Sequence, residues 1–321
     1  MQRLFITVLA CLMSVSVYSQ YDLTKMKKRG KVKYLAIKIY DVIEKFGEIE
    51  KQRCTKDEEW FFDELGHPVK GIQYQSEGVK LETNYQYNIT GNLVKENGYA
   101  NDSLVFEVIY EYDKTGSLVK VTEYDPPGII EKIKEFKYDQ VGNKVSETTY
   151  KYEYEIITHK MTYEYDKLGN EIENISYGLD GNVYDRRTYT YNEKGKIKSE
   201  TKYYEGEKTE FHYKYDNKGN KVEKIIIPEH KPQITTFYFY RQDGSLEKMK
   251  GGRHNDITIF DFRGNVIQHE RHLKNGKTVM SYFEYIYDHM GNYTTATFYK
   301  DGSYDKRNAY ELQEFKLEYY D

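Results

Sequence analysis

Tyrosine is the residue of this chain whose number and spacing could serve a binding function. The 321-residue sequence contains 36 tyrosines, and many occur as pairs separated by one residue, as in Tyr163 and Tyr165. Because side chains alternate between the two faces of a β-strand, both rings of such a pair lie on one face. Rows of these rings could stack against sugar rings or an extended polypeptide, although packing between neighbouring strands explains the same spacing without a ligand. The candidate binding residues form an exposed aromatic ladder: Tyr110, Tyr112, Tyr138, Tyr163, Tyr165, Tyr189, Tyr191, Tyr213 and Tyr215.

Side chains that could hold a metal ion or perform catalysis are scattered. His269 and His272 lie three residues apart in a strand-like segment, and this spacing places their rings on opposite faces. The aspartates that follow many of the paired aromatics could each offer calcium one or two oxygens, whereas a calcium loop concentrates several within a dozen residues. We therefore expect no catalytic residues, no metal site and no cofactor, and we predict that the protein is not an enzyme.

Those aspartates belong to a phrase of tyrosine, aspartate, two variable residues and glycine that recurs along the chain. Clear copies begin at Tyr112, Tyr138, Tyr165, Tyr215 and Tyr287. An aspartate or asparagine side chain can cap a turn, and glycine supplies the positive φ that a type I turn with a bulge requires. Including weaker copies, the turn glycines lie about 25 residues apart, at positions 66, 91, 116, 142, 169, 195, 219, 244, 264 and 291.

Each copy therefore marks the end of one strand, a tight turn and a returning strand. A second turn signal, such as Asp180 with Gly181, ends the returning strand, so the pattern predicts a meander of roughly twenty strands. The predicted fold class is all-β, with repetitive antiparallel β-hairpins in an elongated twisted or partly curled sheet. The predicted domains are a signal peptide at 1–19, an N-terminal capping region with the first strand or strands at 20–59, and a repeat domain at 60–321.

Composition limits the core and the partners. Hydrophobic residues make up 38% of the chain, and 36 of them are tyrosines, which favours a thin sheet whose phenol rings bury area while their hydroxyls reach water. An aromatic content of 16% argues against disorder. The formal net charge of −4 gives no electrostatic basis for binding nucleic acid, whose partners carry a basic surplus.

The N-terminus is typical of an exported protein. Arg3 precedes an apolar stretch from Leu4 to Val17, and small residues at Val17 and Ser19 allow cleavage before Gln20. A lipoprotein site at Cys11 is an alternative, as is a buried first strand or helix. No second apolar run approaches the length of a membrane helix, and lysine and glutamate on both faces of strands such as 144–147 argue against an outer-membrane barrel.

With its ten copies over residues 60–300, the tyrosine-aspartate phrase resembles the YD repeat of the Rhs and teneurin type. The chain is similar to the short, secreted YD-repeat proteins of Bacteroidetes. The resemblance implies β-hairpins wound into a continuous sheet, which in some members closes into a hollow shell around a toxin, and it implies carbohydrate binding. Two departures are that Glu, Lys, Thr or Asn replaces the arginines that often flank the family motif, and that no toxin-like module follows residue 300.

Together these features predict a non-enzymatic binding or adhesive scaffold in the periplasm, on the outer-membrane surface or outside the cell. Its partner would be a glycan or an envelope protein. The alternative function is a partial shell or accessory component associated with a toxin or secretion system, although ten repeats are few for a closed shell.

Overall fold

The computed structural model describes residues 30–75, 78–151, 156–300 and 308–320. The predicted signal peptide and its cleavage site, and the alternative acylation at Cys11, lie outside these residues. The described residues form 22 β-strands: β1 Val32–Lys45, β2 Glu48–Phe62, β3 Pro68–Tyr74, β4 Lys80–Tyr87, β5 Leu93–Ala100, β6 Ser103–Tyr112, β7 Leu118–Tyr124, β8 Ile130–Tyr138, β9 Lys144–Lys151, β10 Ile156–Tyr165, β11 Glu171–Tyr177, β12 Val183–Tyr191, β13 Ile197–Tyr204, β14 Glu207–Tyr215, β15 Lys221–Pro228, β16 Ile234–Tyr240, β17 Leu246–Gly251, β18 Asp256–Phe260, β19 Val266–His272, β20 Thr278–Tyr287, β21 Tyr293–Lys300 and β22 Asn308–Tyr319.

The strands form one antiparallel sheet in which each strand pairs with the next one along the chain. The sheet closes because β1 also pairs with β22, with Ile37 opposite Phe315 and Lys38 opposite Glu314. The protein is therefore a closed 22-stranded antiparallel β-barrel. The predicted all-β hairpin meander is confirmed, but the predicted elongated or partly curled open sheet is wrong.

Regular bulges explain how the sheet bends far enough to close. At each of the ten glycine turns the pairing register shifts by one residue beside the last aromatic residue of the strand. A bulge of this kind bends the strand and increases its twist, so ten of them in the same position of successive hairpins add their curvature in one direction. These residues are Phe62, Tyr87, Tyr112, Tyr138, Tyr165, Tyr191, Tyr215, Tyr240, Phe260 and Tyr287.

The turn after β10 shows why this sequence forms the hairpins. The Asp166 Oδ1 atom accepts hydrogen bonds from the backbone N–H groups of Leu168 (2.8 Å) and Asn170 (2.9 Å), and Asp166 Oδ2 accepts one from Asn170 Nδ2 (2.9 Å). Gly169 has φ 81°, which a residue with a Cβ atom rarely adopts. The hydrogen bonds from Asn170 hold the pKa of Asp166 below its ordinary value, as capping of a carboxylate predicts.

The best-packed part of the barrel lies beside the closure. The fully buried side chains of Trp60 and Leu35 face each other across β1 and β2, and Phe315 and Tyr85 pack in the same cluster. Trp60 lies over Gly71 on β3, where an added Cβ atom would come within 2.8 Å of the indole ring. Glycine at this position therefore lets the indole cover the neighbouring strand.

The barrel is too wide for its own side chains to fill. Strands spaced about 4.8 Å apart and tilted by about 35–45° give 22 strands a perimeter of ~130–150 Å, which corresponds to ~41–47 Å across for a round section. Subtracting side chains of ~6 Å on each wall leaves a lumen of ~30–35 Å. The substantial contacts between strands are those between hydrogen-bonded neighbours, as expected for a single curved layer.

Candidate functional site

The cross-strand register places the first aromatic residue of each tyrosine pair on one face of the sheet, which we call the tyrosine face. Tyr163 lies opposite Asn174 and Tyr189 lies opposite Glu200, and the register carries the same face from each hairpin to the next. Following it around the barrel connects these rings to Trp60 and Leu35. The eight members of this first row are Tyr85, Tyr110, Phe136, Tyr163, Tyr189, Tyr213, Tyr238 and Tyr285.

The second tyrosine of each pair holds neighbouring repeats together. The hydroxyl of Tyr138 donates to the carbonyl of Leu118 (2.8 Å), and that of Tyr165 donates to the carbonyl of Lys144 (2.8 Å). Tyr112, Tyr191 and Tyr215 do the same to Leu93, Glu171 and Ile197. Burial raises the pKa of all five phenols above the ordinary value, so they stay protonated and donate. This row is a hydrogen-bond ladder between repeats.

The same bond occurs where the chain ends meet. Tyr320, which follows β22, donates its hydroxyl to the carbonyl of Phe62 at the end of β2 (2.6 Å). Tyr319 donates to the Asp288 carboxylate and accepts from Asn292 Nδ2 (2.7 Å). Tyrosine hydroxyls therefore also form hydrogen bonds at the seam, where β22 meets β1 and the barrel closes.

Three first-row hydroxyls contact polar side chains, whereas that of Tyr285 donates to the backbone carbonyl of Val266 (2.9 Å). Tyr110 donates to Glu96 Oε1 (2.5 Å) and Tyr213 donates to Glu200 Oε2 (3.2 Å), while Tyr189 accepts from Asn174 Nδ2 (3.0 Å). Side-chain partners can rotate away without breaking a strand, so these rings can exchange their partners for a ligand. Of the nine candidate tyrosines, the first-row members Tyr110, Tyr163, Tyr189 and Tyr213 therefore suit binding better than the ladder residues.

All nine candidate tyrosines, which the sequence predicted to form an exposed ladder, lie on this face and are partly buried. Cations also cover some of their rings: Lys144 Nζ is 4.7 Å from the centre of the Tyr163 ring, and Lys196 Nζ is 5.5 Å from that of Tyr215. Such cation–π contacts contribute roughly 0.5–1 kcal/mol at exposed positions. A ligand that stacks on these rings competes with lysine amines for the same ring surface.

Sequence inspection missed Glu96, the most buried carboxyl group on the tyrosine face. Its side chain is only 3% exposed, and its Oε2 atom has no hydrogen-bond partner, like the hydroxyl of the facing Tyr85. Burial raises the pKa of Glu96 above its ordinary value, against the opposing hydrogen bond from Tyr110. The meander pattern places Glu96 between Tyr85 and Val108, so no lysine lies directly opposite it on either neighbouring strand. This placement is the sequence signal that could have identified it as a buried carboxyl group.

The histidines and aspartates do not assemble a site. His269 contacts Thr258 on the tyrosine face (Nδ1 to Oγ1, 3.0 Å), whereas His272 contacts Thr278 and Glu270 on the other. Over residues 30–75, 78–151, 156–300 and 308–320, no group of three or more His, Cys, Asp or Glu side chains is placed to hold a metal ion. The turn aspartates instead cap their own turns.

Concave surfaces occur away from these tyrosines. One cavity of about 480 Å³ is lined by His254, Asp256, Arg271, Leu273 and Lys274. Another of about 480 Å³ lies near the seam, lined by Lys33, Tyr34, Phe61, Phe62, Lys316, Glu318 and Tyr320. In the part of the chain that the structure describes, no helix has the length and apolarity needed to cross a membrane.

Comparison with known proteins gives structural likenesses only. No protein-family model matches the chain, and no curated protein matches it. The crystal structure of TcdB2-TccC3-Cdc42 aligns over 77% of this chain and 16% of that chain, with 13% identity and a TM-score of 0.35. A porin-like protein from Bacteroides uniformis aligns over 91% of this chain and 98% of that chain, with 12% identity and a TM-score of 0.33. This chain thus spans about a sixth of the TcdB2-TccC3 chain and nearly the whole porin-like one.

Proposed function

We propose that this chain is an exported, non-enzymatic YD-repeat protein whose barrel binds a carbohydrate or polypeptide ligand on its tyrosine face. The observation that carries the proposal is the closed barrel with one face lined by repeated tyrosines. Side chains converge on the concave side of a curved sheet, and the tyrosine face carries most of the buried residues, including Trp60, Leu81 and Glu96. The tyrosine face is therefore assigned to the lumen.

Charged pairs on both faces support a barrel that meets water inside and outside. Lys95 pairs with Glu107 (2.6 Å) on the face opposite the tyrosines, and Arg187 lies 3.6 Å from Glu200 on the tyrosine face. A barrel embedded in an outer membrane presents a continuous apolar band to lipid. Ion pairs of this kind in the strands interrupt such a band on either face.

The size of the lumen admits both classes of ligand. An oligosaccharide or an unfolded polypeptide segment fits within ~30–35 Å. A folded domain of ~100 residues has a radius of gyration of ~13 Å and is about as wide as this lumen. Closure of the sheet therefore also favours the second candidate, a shell component of a toxin or secretion system that surrounds a polypeptide segment.

Binding to an oligosaccharide array and titration calorimetry with the bound glycans test the proposal. The first-row variants Tyr163→Ala and Tyr189→Ala should each weaken binding, because they remove ring surface from the lumen. Tyr203→Ala is the matched control, since Tyr203 is 42% exposed on the opposite face, and it should bind like the wild-type protein.

Two outcomes would reject carbohydrate binding at this face. One is equal weakening by Tyr203→Ala, and the other is the absence of binding to every glycan. Capture of an unfolded polypeptide in that second case, lost in Tyr163→Ala and Tyr189→Ala, would establish the shell function in its place.

A further inference from the structure

Two lysines on the tyrosine face of β15 lie among aromatic rings without a carboxylate partner. Lys221 Nζ is 5.0 Å from the centre of the Tyr213 ring and 5.7 Å from that of Tyr238. Lys224 Nζ is 5.1 Å from the Phe211 ring and 5.8 Å from the Tyr213 ring. Within the described ranges, neither amine has an Asp or Glu oxygen within 4.0 Å. Both amines therefore share the Tyr213 ring while their charges stay unpaired.

Two other lysines on this face have carboxylate partners, whereas Lys196, over Tyr215, donates to the carbonyl of Gly219 (2.6 Å). Lys144 also lies over an aromatic ring, but its amine is 2.9 Å from Glu147. Lys202 pairs with Asp185 (3.2 Å). The carboxylate nearest to the β15 pair by register, Glu200, contacts Arg187 and the Tyr213 hydroxyl. The pair Lys221 and Lys224 is thus a local excess of positive charge on the tyrosine face.

This arrangement disfavours two ammonium groups and favours an anion between them. Burial and the neighbouring Lys224 lower the pKa of Lys221 below its ordinary value, in the direction that an unpaired, partly desolvated ammonium shows. An oxyanion that contacts both amines would relieve both effects, because opposite charge within a few ångströms favours the charged form.

We propose that Lys221 and Lys224 bind an oxyanion group, carboxylate or phosphate, of an acidic saccharide whose ring lies against Tyr213 and Tyr238. The proposal deepens the carbohydrate-binding function proposed above and rests on it for the saccharide. The two tyrosines supply broad apolar ring surface with a polar edge, which suits the carbon–hydrogen face of a sugar. The lysines then select saccharides that carry negative charge.

Calorimetric titration with three probes separates the charge from the sugar: a galacturonic acid oligomer, its neutral methyl ester, and inorganic phosphate. The acid should bind more tightly than the ester to the wild-type protein. Lys221→Gln and Lys224→Gln should each weaken binding of the acid on the order of tenfold, which corresponds to about 1.4 kcal/mol, because each removes a charge-assisted hydrogen bond. Neither variant should change the affinity for the ester. Phosphate binding that both variants abolish would identify the pair as a general oxyanion site.

The matched control is Lys248→Gln combined with Lys250→Gln. Lys248 also contacts an aromatic ring, with its amine 5.0 Å from the Phe239 ring centre, but it lies on the opposite face. The control removes two charges and should leave binding of the acid unchanged. Thermal unfolding of every variant checks that the barrel is intact.

Failure of this proposal can be told apart from failure of the proposed function. Equal affinity for acid and ester, unchanged in the lysine variants, would overturn the lysine site and leave carbohydrate binding standing. If the control pair weakens binding of the acid as much as the lysine variants do, the lysine site is also rejected, because the effect would come from net charge in general. A further titration uses polyglutamate, and its binding in the absence of binding to either saccharide would overturn the saccharide proposal and assign the lysines to an acidic polypeptide.

Discussion

Replacing the buried Glu96 by glutamine should stabilise the barrel at neutral and alkaline pH. Burial raises the pKa of Glu96, so the folded state holds the proton more tightly than the unfolded state does. Its stabilising contribution is therefore complete below the ordinary value of 4.5 and is lost as the pH rises through the higher folded pKa. Above that range a carboxylate remains with Oε2 unpaired, which costs about 1–3 kcal/mol.

Glutamine keeps the shape of the side chain and its acceptor for the Tyr110 hydroxyl, but it carries no charge. The free energy of unfolding of Glu96→Gln should exceed that of the wild-type protein by about 1–3 kcal/mol at pH 8, and the two should converge near pH 4. Urea unfolding followed by circular dichroism at half-unit steps of pH measures this difference. A difference that is constant with pH, or a less stable variant at pH 8, would show that the buried Glu96 carboxylate does not destabilise the folded barrel.

The control for this experiment is Glu82→Gln, on the opposite face. Burial tends to raise the pKa of Glu82, but hydrogen bonds from Lys80 and Lys70 outweigh it and the pKa is lowered. This group contributes stability above its unfolded pKa and loses it as the pH falls through the folded one. Its replacement should therefore destabilise the protein at pH 8, by about 0.2–1 kcal/mol for pairs this exposed, which is the opposite sign.

Three further substitutions test the ladder and the turns by urea unfolding at pH 7. Tyr138→Phe removes the hydrogen bond to the Leu118 carbonyl and should lower the free energy of unfolding by about 0.5–1.5 kcal/mol. The control is Tyr203→Phe, which should leave it unchanged because the Tyr203 hydroxyl has no partner in the described structure. Equal losses of stability in the two variants would reject the hydrogen-bond ladder. Gly142→Ala places a Cβ atom at φ 93° with no neighbour within 4 Å. The free energy of unfolding should fall by about 1–2 kcal/mol for conformational reasons alone. An unchanged free energy of unfolding would contradict the turn assignment. Asp166→Ala removes three hydrogen bonds of one turn and should lower the urea midpoint. Asp166→Asn should lower it less, because asparagine can still cap.

Local features of the fold follow directly from the sequence. Asp166 and Gly169 occupy a capped turn with positive φ, as the repeated phrase predicts, and the aromatic pairs share one face of antiparallel hairpins. These properties depend on residues a few positions apart, where side-chain chemistry and backbone preference act together. For this reason the all-β meander could be predicted without a structure.

Closure of the sheet could not be read in the same way. It depends on the pairing of β1 with β22, which brings together residues far apart in the sequence, such as Lys38 and Glu314. It also depends on the small bend at each bulge, summed over ten hairpins, so an error of a few degrees per hairpin decides between an open and a closed sheet.

The roles of individual tyrosines were hidden for a related reason. Tyr165 and Tyr163 look equivalent in sequence, but the acceptor of Tyr165 is the backbone carbonyl of Lys144 in the preceding repeat. A carbonyl acceptor leaves no mark in the amino-acid sequence. Likewise, the unpaired charges of Lys221 and Lys224 become visible only when the neighbouring strands are in place.

Closure of the barrel requires β1 and β22 to be neighbours, and a disulfide across this seam tests whether they are. Lys38 and Glu314 are register partners on β1 and β22, and both are substantially exposed. Directly opposed residues of an antiparallel pair have Cβ atoms about 4.5–5.5 Å apart, close enough for a disulfide after a small adjustment. The variant Lys38→Cys with Glu314→Cys is made in a Cys54→Ser background, which removes the exposed free cysteine.

Mild oxidation of this variant at low protein concentration, followed by non-reducing electrophoresis and mass spectrometry of the linked peptides, gives the result. A closed barrel predicts rapid formation of a disulfide within one chain. The control Lys38→Cys with Glu210→Cys, which pairs β1 with the distant strand β14, should form no such bond. If the seam pair stays reduced or links only separate chains, while the protein remains folded, the sheet is open and does not form a closed barrel.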